Sequence, residues 1–337
     1  METETDASSC PKLQIMDRCP TFVDHYAQYF IQNAPYTRNR QQLPGLRPNT
    51  LRNYENFYKN WQRFEKIHGH PALHFHQLNQ QVVQQFSQWL LEDQKFTLNY
   101  AGRLIGILKT ICLDAQKNEV RVHPFALKLC SFSQPKHQRI LITLNFSELQ
   151  KIEQLELSEP HLENTRKWIL IGFWVGQRIS DLMQIRPENL RPAGQGGLYL
   201  DLVQQKTQKE ITVGIIHPYV VELLRNDFPY PVQHARFNRY MKAVLKAAGI
   251  HQKVHAARYD GKSKRKIYGI YPKYQVMSSH DLRRSFATNF FGKIPTPILM
   301  QMTGHSKEST FLQYIGHDPN RDSFADAFMR KIAGLPA

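Results

Sequence analysis

Ser278–His317 reads SSHDLRRSFATNFFGKIPTPILMQMTGHSKESTFLQYIGH, and the reading of this stretch decides the fold of the second half of the chain. His280 and Arg283 are three residues apart, so a helix presents both on one face. Leu282, Phe286 and Phe290 follow at intervals of four and form the apolar stripe of that helix. Thr296-Pro297 predicts an N-cap followed by proline at the first helical position. The helix it opens turns Ile298, Leu299 and Met302 inward and stops at Gly304. His305 then stands at a turn, and a short last helix brings Tyr314 round, with Thr310 one turn before it. Two imidazoles, a guanidinium and a phenol can thus converge from three segments.

Each piece alone is a weak signal. His255-Ala-Ala-Arg258 has the same H-x-x-R spacing with nothing after it, a lone Gly-His ordinarily ends a helix, and a lone helical tyrosine ordinarily packs. Order and context make the set specific, with an apolar helix between each polar element and the next. HDLRRSFAT, then TGH, then Tyr314 nine positions after His305 resembles the signature of the tyrosine recombinase (phage integrase) family. The wording TGHSKESTFLQYIG is most similar to integrases of mobile elements.

Composition narrows the alternatives. A chain of 337 residues is long enough for two domains with separate cores. With 41% hydrophobic residues it is not a disordered chain, and no apolar run approaches the roughly twenty residues of a membrane span. The start, METETDASSCPK, is acidic and polar, unlike a secretory leader or a transit peptide. Cys10, Cys19, Cys112 and Cys130 are scattered without a CxxC pair, which argues against a disulfide framework and a metal site. A cytoplasmic, DNA-associated protein that is not secreted is the expectation, with no cofactor. Forty-four Lys and Arg against 28 Asp and Glu give a net charge of +16, suited to a polyanionic partner. The plainer reading of that charge is a basic, soluble surface without a nucleic-acid ligand.

Residues 1–19 read as a flexible tail and residues 20–130 as an all-helical bundle. Its first stripe is Phe22, Val23, Tyr26 and Phe30, followed by a loop with Arg38, Arg40, Pro44, Gly45 and Arg47. Thr50 is the expected N-cap of a long helix with Leu51, Tyr54, Tyr58, Trp61 and Phe64 inside. Asn79 opens the next (Val82, Val83, Phe86, Trp89, Leu90), and Thr97 a fourth (Tyr100, Leu104, Ile107, Leu108, Ile111). Their periodicity assigns the aromatics to the core rather than to base stacking. Arg47, Arg52, Lys59, Arg63, Arg103 and Lys109 lie off the stripes and are candidate phosphate contacts, although each taken singly is more often just a solvated charge. Residues 131–145, with Lys136 and Arg139, read as a basic linker suited to a DNA backbone.

The second domain is expected over 146–317. Ser147 with Gln150 reads as a capping box, and a helix follows over Glu163–Val175. Arg178 comes next, at a glycine-marked break in Gly176-Gln177-Arg178-Ile179-Ser180-Asp181-Leu182. A buried arginine is costly without an anion, which means either a salt bridge to Asp181 or Glu188 or a phosphate ligand. Leu198–Val203 and Ile211–Ile216 alternate apolar and polar, joined by a turn holding Lys206 and Lys209, and read as a β-hairpin. Helices follow from Pro218 and through Phe237, Tyr240, Met241, Val244 and Leu245 to Gly249. KVHAARYDGKSKRK, Lys253 to Lys266, holds six Lys or Arg and reads as a loop too basic to pack. Lys262, Lys264, Arg265 and Lys266 there are candidate DNA contacts. Residues 318–337 offer one more amphipathic segment (Phe324, Ala327, Phe328, Ile332) that could be exchanged between subunits.

The resemblance adds the following. It implies a mainly α fold with a small β-hairpin or sheet in the catalytic domain. The two domains, an N-terminal helical core-binding bundle and a catalytic domain, would form a C-shaped clamp on duplex DNA. Thr50 and Tyr54 match a T-x-x-x-Y pattern in the first domain. G-x-R-x-S-[DE]-L resembles the family's first catalytic-arginine motif and points to Arg178. Lys206 matches the lysine that the family places on this hairpin, with Lys209 as the alternative. His280, Arg283 and His305 complete the set, and Tyr314 is the implied nucleophile. Such a set makes a recombinase that cleaves and rejoins strands through a 3′-phosphotyrosyl intermediate without metal or ATP. Implied partners are the double-stranded recombination site and further copies of the chain, as dimer or tetramer on DNA. An accessory DNA-bending protein is left open, and no membrane is involved. A type IB topoisomerase and a non-catalytic DNA-binding protein of the same fold are the competing readings.

Overall fold

Prolines and capping side chains set where the helices begin. In the N-terminal half, α1 covers Val23–Gln32 and α2 covers Pro48–Ile67. The start of α2 lies before the expected Thr50 because Pro48, whose φ already suits a helix and whose missing N–H is not needed there, takes the first position after Arg47. Asn79 opens α3, Gln80–Gln88, by accepting a hydrogen bond from Val82 N at 3.0 Å, and the helix runs on as a π turn over Trp89–Asp93. Thr97 does the same for α4, Leu98–Lys117, accepting from Tyr100 N at 3.3 Å. A single turn, α5 (Pro124–Leu127), is too short to show as periodicity. Tyr26, Phe57, Trp61, Phe64, Phe86 and Trp89 fill this core. Phe57 holds the central place on α2, while Tyr54 and Tyr58 sit at the border of the core with their hydroxyls toward polar surroundings.

The computed structural model describes residues 19–37, 44–70, 72–134, 141–261, 263, 265–316, 329, 332 and 333. It divides into two units, Met1–Pro135 and Lys136–Ala337. Lys136, Arg139, Lys262 and Lys264 lie outside the described residues, as do the tail before Cys19 and nearly all of the segment 318–337.

The second unit opens with α6, Phe146–Glu153. Its cap is Asn145, not Ser147: Asn145 Oδ1 accepts from Glu148 N (2.8 Å), and Glu148 Oε2 accepts from Asn145 N (2.9 Å). Ser147 donates its hydroxyl to Asn145 instead. The Glu148 carboxylate also takes Lys273 Nζ at 2.6 and 2.7 Å, a buried ion pair. Helix α7, Pro160–Val175, again begins at a proline, ahead of the expected Glu163. From Trp168 on it is apolar all round, and Trp168, Ile169, Leu170, Ile171, Phe173 and Val175 make it the centre of the unit. Gly176 ends it with φ +64°, and a Cβ there would lie 2.5 Å from the Phe286 ring, so both the turn and the packing need glycine.

After one turn of helix, α8 (Ile179–Leu182), come β1 (Leu190–Pro192), β2 (Leu198–Val203) and β3 (Glu210–Ile215). They form an antiparallel sheet in that order, with Leu198 opposite Ile215 and Val203 opposite Glu210. Leu198, Leu200, Ile211, Val213 and Ile215 point into the core. Helices α9 (Pro218–Asn226) and α10 (His234–Ala247) pack on α7.

The basic stretch expected as a loop is a second hairpin: β4 (Lys253–Asp260) pairs with β5 (Arg265–Pro272), Lys253 opposite Pro272 and Asp260 opposite Arg265. Val254, Tyr259, Ile267, Tyr268, Ile270 and Tyr271, set among the charges, favour extended backbone. Asp260-Gly261 supplies the turn, with Asp260 Oδ2 accepting from Ser263 N at 2.8 Å. His255 and Arg258 fall in β4, where residues three apart face opposite sides, so their H-x-x-R spacing has no helical meaning.

The chain then enters α11 (Lys273–Val276), α12 (Ser279–Phe290), α13 (Thr296–Thr303) and α14 (Glu308–Ile315). Pro295, not Thr296, caps α13. Leu299 and Thr303, one turn apart, face inward, and Ile298, a quarter turn away, is half exposed rather than buried.

Candidate active site

Helix α12 is anchored at its first turn. Asp281 Oδ2 accepts from both the backbone N and the Oγ of Ser278 (2.8 Å each), and Asp281 Oδ1 accepts from Arg284 Nη1 (2.6 Å). This holds His280 and Arg283 at a fixed pitch. Arg283 is 1% exposed and donates from Nη1 to Gly176 O (3.1 Å) and from Nη2 to Thr303 O. It therefore ties the end of α7 and the end of α13 to α12.

Arg178 is the N-cap residue of α8. Its Nη1 donates to Gln204 Oε1 at 3.1 Å, and Asp181 Oδ2 stands 3.9 Å away. The salt bridge that was the plainer reading of Arg178 is thus long and not hydrogen-bonded, and Asp181 spends its other oxygen on Gln205 N (3.0 Å).

Gly304, with φ +69°, ends α13, and the turn it makes projects His305. Thr303 Oγ1 donates to Leu299 O at 2.6 Å, so its contact with His305 Nδ1 (2.7 Å) assigns the proton to Nδ1 and the lone pair to Nε2. Helix α14 brings Tyr314 between the two imidazoles, 5.2 Å from each ring. The Arg284 and Arg283 guanidiniums lie 5.3 and 5.9 Å from the centre of the phenol ring. The Tyr314 hydroxyl donates to His280 O (3.3 Å), and Arg284 Nε donates to Tyr314 O (3.3 Å).

These charges act on one another. Part of the His280 ring meets solvent, yet the surrounding protein and then Arg284, Arg283, Arg178 and Lys206 hold its pKa down to about 4. Burial, then Arg283, Arg178, Lys209 and His280 hold His305 down to about 4 as well. Both imidazoles are neutral at pH 7. Burial, and next the charge of Arg178, draws Arg283 down to about 10, which leaves it a cation. Burial pushes the Tyr314 phenol up to about 12 against the pull of Arg283 and Arg284.

The β2–β3 turn brings both candidate lysines to this cluster. Lys206 bears on His280, whereas Lys209 bears on His305 and donates to Ser306 Oγ at 2.7 Å. Arg178, Lys206, His280, Arg283, His305 and Tyr314 thus stand together. The other basic candidates are spread over the two units. Arg52, Lys59 and Arg63 are exposed at a helical spacing that sets them along one side of α2, and Arg47 precedes it. Arg103 and Lys109 are on α4 but not on one face, while Arg265 and Lys266 are exposed at the start of β5.

Sequence reasoning passed over Gln177, Gln204, Arg284 and Thr303, whose side chains hold the cluster in place. One signal was available. The inward alternation of β2, through Leu198, Leu200 and Leu202, continues to Gln204, a polar residue at a core position. Among the described residues no group of His, Cys, Asp and Glu could hold a metal ion, and no helix is long and apolar enough to cross a membrane.

Residues 143–321 match the phage integrase family, and residues 20–127 match the phage integrase SAM-like domain. No curated protein sequence matches the chain. Among solved structures, the XerH site-specific recombinase in a post-cleavage complex with a palindromic difH substrate has a TM-score of 0.63 at 15% identity, covering 92% of this chain and 95% of that one. A lambda integrase dimer bound to a COC′ core site gives 0.61 at 16% identity, covering 88% and 78%. The Tn1549 transposon integrase in complex with transposon right end DNA gives 0.59 at 16% identity, covering 93% and 100%. At such identities the likeness is one of fold.

Proposed function

This chain belongs to the phage integrase family of tyrosine-type site-specific recombinases, and we propose that it cuts and rejoins duplex DNA through a 3′-phosphotyrosyl link formed by Tyr314. The observation that carries this reading is the convergence of the Arg283 and Arg284 guanidiniums and two neutral imidazoles on the Tyr314 phenol, with the charge of Arg178 bearing on the same groups. In the step proposed, Tyr314 Oη attacks phosphorus, the Oη–P bond forms and the P–O5′ bond breaks. The phenolic proton passes to neutral His280, and Lys206 gives a proton to the departing O5′. Arg178 and Arg283 hold the two non-bridging oxygens as charge grows on them. The phosphate anion offsets the surrounding cations and lets His305 take up a proton, so that Nε2–H becomes a third donor. Attack by a second 5′-hydroxyl reverses the sequence. The phosphotyrosyl ester keeps the energy of the broken bond.

A nicked substrate that loses its short 5′ fragment traps the intermediate. A covalent adduct is expected with the unaltered protein and none with Tyr314→Phe. Tight binding without adduct would favour the non-catalytic reading, and relaxation of plasmids lacking a recombination site would favour the topoisomerase.

The row Arg52, Lys59 and Arg63, together with Arg47, Arg103, Lys109, Arg265 and Lys266, is proposed to meet backbone phosphates. Affinity should then fall linearly in log salt, with a slope of roughly −0.9 per phosphate contacted. Neutralising the three α2 residues should flatten the slope by about 3, read by fluorescence anisotropy. An unchanged slope would remove α2 from the interface.

The two imidazoles give a pH test. Their values near 4 in the free protein lie below the ordinary 6.5. A depressed histidine destabilises the fold as protons bind, so stability should decline as pH falls from about 6.5 toward 4. NMR titration of labelled histidines, assigned with His280→Gln and His305→Gln, should place both midpoints well below 6. Bound DNA should raise them, since a phosphate opposes the cations that lower them. Midpoints near 6.5 without DNA would contradict the electrostatics described.

A further inference from the structure

We propose that Gln204 is a positioning residue that aims Arg178 at the scissile phosphate and locks the lysine-bearing hairpin to the Thr303–His305 turn. The inference rests on the role given to Arg178 above.

Gln204 is 0% exposed, at the last inward position of the β2 alternation. A buried amide is tolerated when its two N–H groups and both lone pairs are satisfied. All four are. Oε1 accepts from Arg178 Nη1 (3.1 Å) and from Thr207 Oγ1 (2.8 Å), and Nε2 donates to Gln177 Oε1 (2.9 Å) and Thr303 O (3.2 Å). The neighbours fix which end is which. Gln177 Nε2 is engaged with Val175 O and Met302 O (2.8 Å each), so its oxygen must face Gln204.

The backbone of the same residue closes the turn. Gln204 N donates to Lys209 O (2.9 Å), and Gln204 O accepts from Gln208 N (2.7 Å), with Lys206 held between. The Gly304 turn packs directly on the amide, where an added Cβ would lie 2.3 Å from Gln204 Oε1. One side chain therefore touches the segment carrying Arg178, the turn carrying Lys206 and the turn carrying His305.

Chemistry explains why an amide is suited to this place. A carboxylate here would form an ion pair with Arg178 and withdraw its charge from the phosphate. The neutral oxygen of Gln204 fixes one N–H of the guanidinium and leaves the full positive charge available. Gln204→Glu keeps the shape and reverses this. It also sets a carboxylate oxygen against Gln177 Oε1 and Thr303 O, both acceptors.

The test is single-turnover cleavage of the nicked substrate by the full chain, with affinity measured separately in a Tyr314→Phe background. Gln204→Glu and Gln204→Leu should each slow cleavage by roughly tenfold to a few hundredfold and leave affinity within about threefold. A substrate with a neutral methylphosphonate at the scissile position asks less charge of Arg178. On it, the Gln204→Glu deficit should shrink to within about threefold of the unaltered protein, in step with Arg178→Ala. A merely structural lesion would slow both substrates alike. Should Gln204→Leu fail to fold, Gln204→Glu carries the test because it preserves volume. Cleavage of the ordinary substrate by Gln204→Glu at the unaltered rate, or an equal deficit on both substrates, overturns the proposal. Absence of adduct even with the unaltered protein would sink the recombinase reading, and the role of Gln204 with it.

Discussion

Arg283→Lys is expected to slow strand cleavage by roughly 10²–10³-fold while changing DNA affinity by less than about threefold. The side chain is 1% exposed, and two of its N–H groups are engaged with the carbonyls of Gly176 and Thr303. A guanidinium has five N–H groups in one plane, so three remain for a phosphate. An ammonium has three in all, about a single centre, and cannot reach both carbonyls and a phosphate together. Ground-state binding is shared among many contacts, whereas the charge that develops on the transferring phosphoryl group is met by few, so the loss should appear in the rate. Leaving a buried carbonyl unmet also costs about 1–3 kcal/mol of stability, which thermal denaturation can measure beside the kinetics. An effect confined to the dissociation constant would make Arg283 a contact for holding DNA and not for cleaving it. His255→Ala and Arg258→Ala, whose spacing is the same but whose backbone is a strand, should leave the chemistry largely intact.

Lys206→Ala is expected to cleave an ordinary substrate roughly 10²–10⁴-fold slowly, yet to cleave a 5′-bridging phosphorothiolate at close to the unaltered rate. An alkoxide leaves poorly unless it is protonated as the bond breaks. A thiolate does not need this help, because thiols ionise near pKa ~8.5. Tyr314→Phe should cleave neither substrate, since sulfur cannot replace a missing nucleophile. The structure makes the companion variant informative: Lys209 is hydrogen-bonded to Ser306 beside His305, whereas the charge of Lys206 bears on His280. Rescue of Lys209→Ala in place of Lys206→Ala would move the acid three residues along the same hairpin. Equal impairment of Lys206→Ala on both substrates would remove it from the proton path.

How far this arrangement was legible depends on the range of the forces that create it. The α12 motif is local: a cap, a spacing of three and an apolar stripe fall within one helix, and they read directly from the letters. The β2–β3 hairpin shows equally well, because its two faces see different surroundings and the sequence alternates accordingly. Residues Lys253–Pro272 hide their strands, since both faces carry charge and the exposed tyrosines and isoleucines blur the alternation. Helix starts slip by two or three residues where a proline takes the first helical position, as at Pro48 and Pro160. The hydrogen bonds that orient Arg178, Arg283 and His305 join residues remote in sequence, apart from the short reach from Thr303 to His305. Gln204 shows the limit: the alternation of β2 places it at an inward position, but its partners 27 and 99 positions away, which make it a satisfied core amide, cannot be read from the letters around it.

The Tyr314 hydroxyl, in the protein without DNA, points its hydrogen at the main-chain oxygen of His280. That oxygen can accept a hydrogen bond but cannot carry off a proton at neutral pH, while the imidazole able to do so belongs to the same residue. In this arrangement the hydroxyl hydrogen faces an acceptor that cannot take it away. On the mechanism proposed above, attack on a phosphate requires this hydroxyl to turn from the backbone oxygen toward the imidazole. Because the acceptor is a main-chain atom, a conservative replacement of the His280 side chain removes the imidazole and keeps the acceptor.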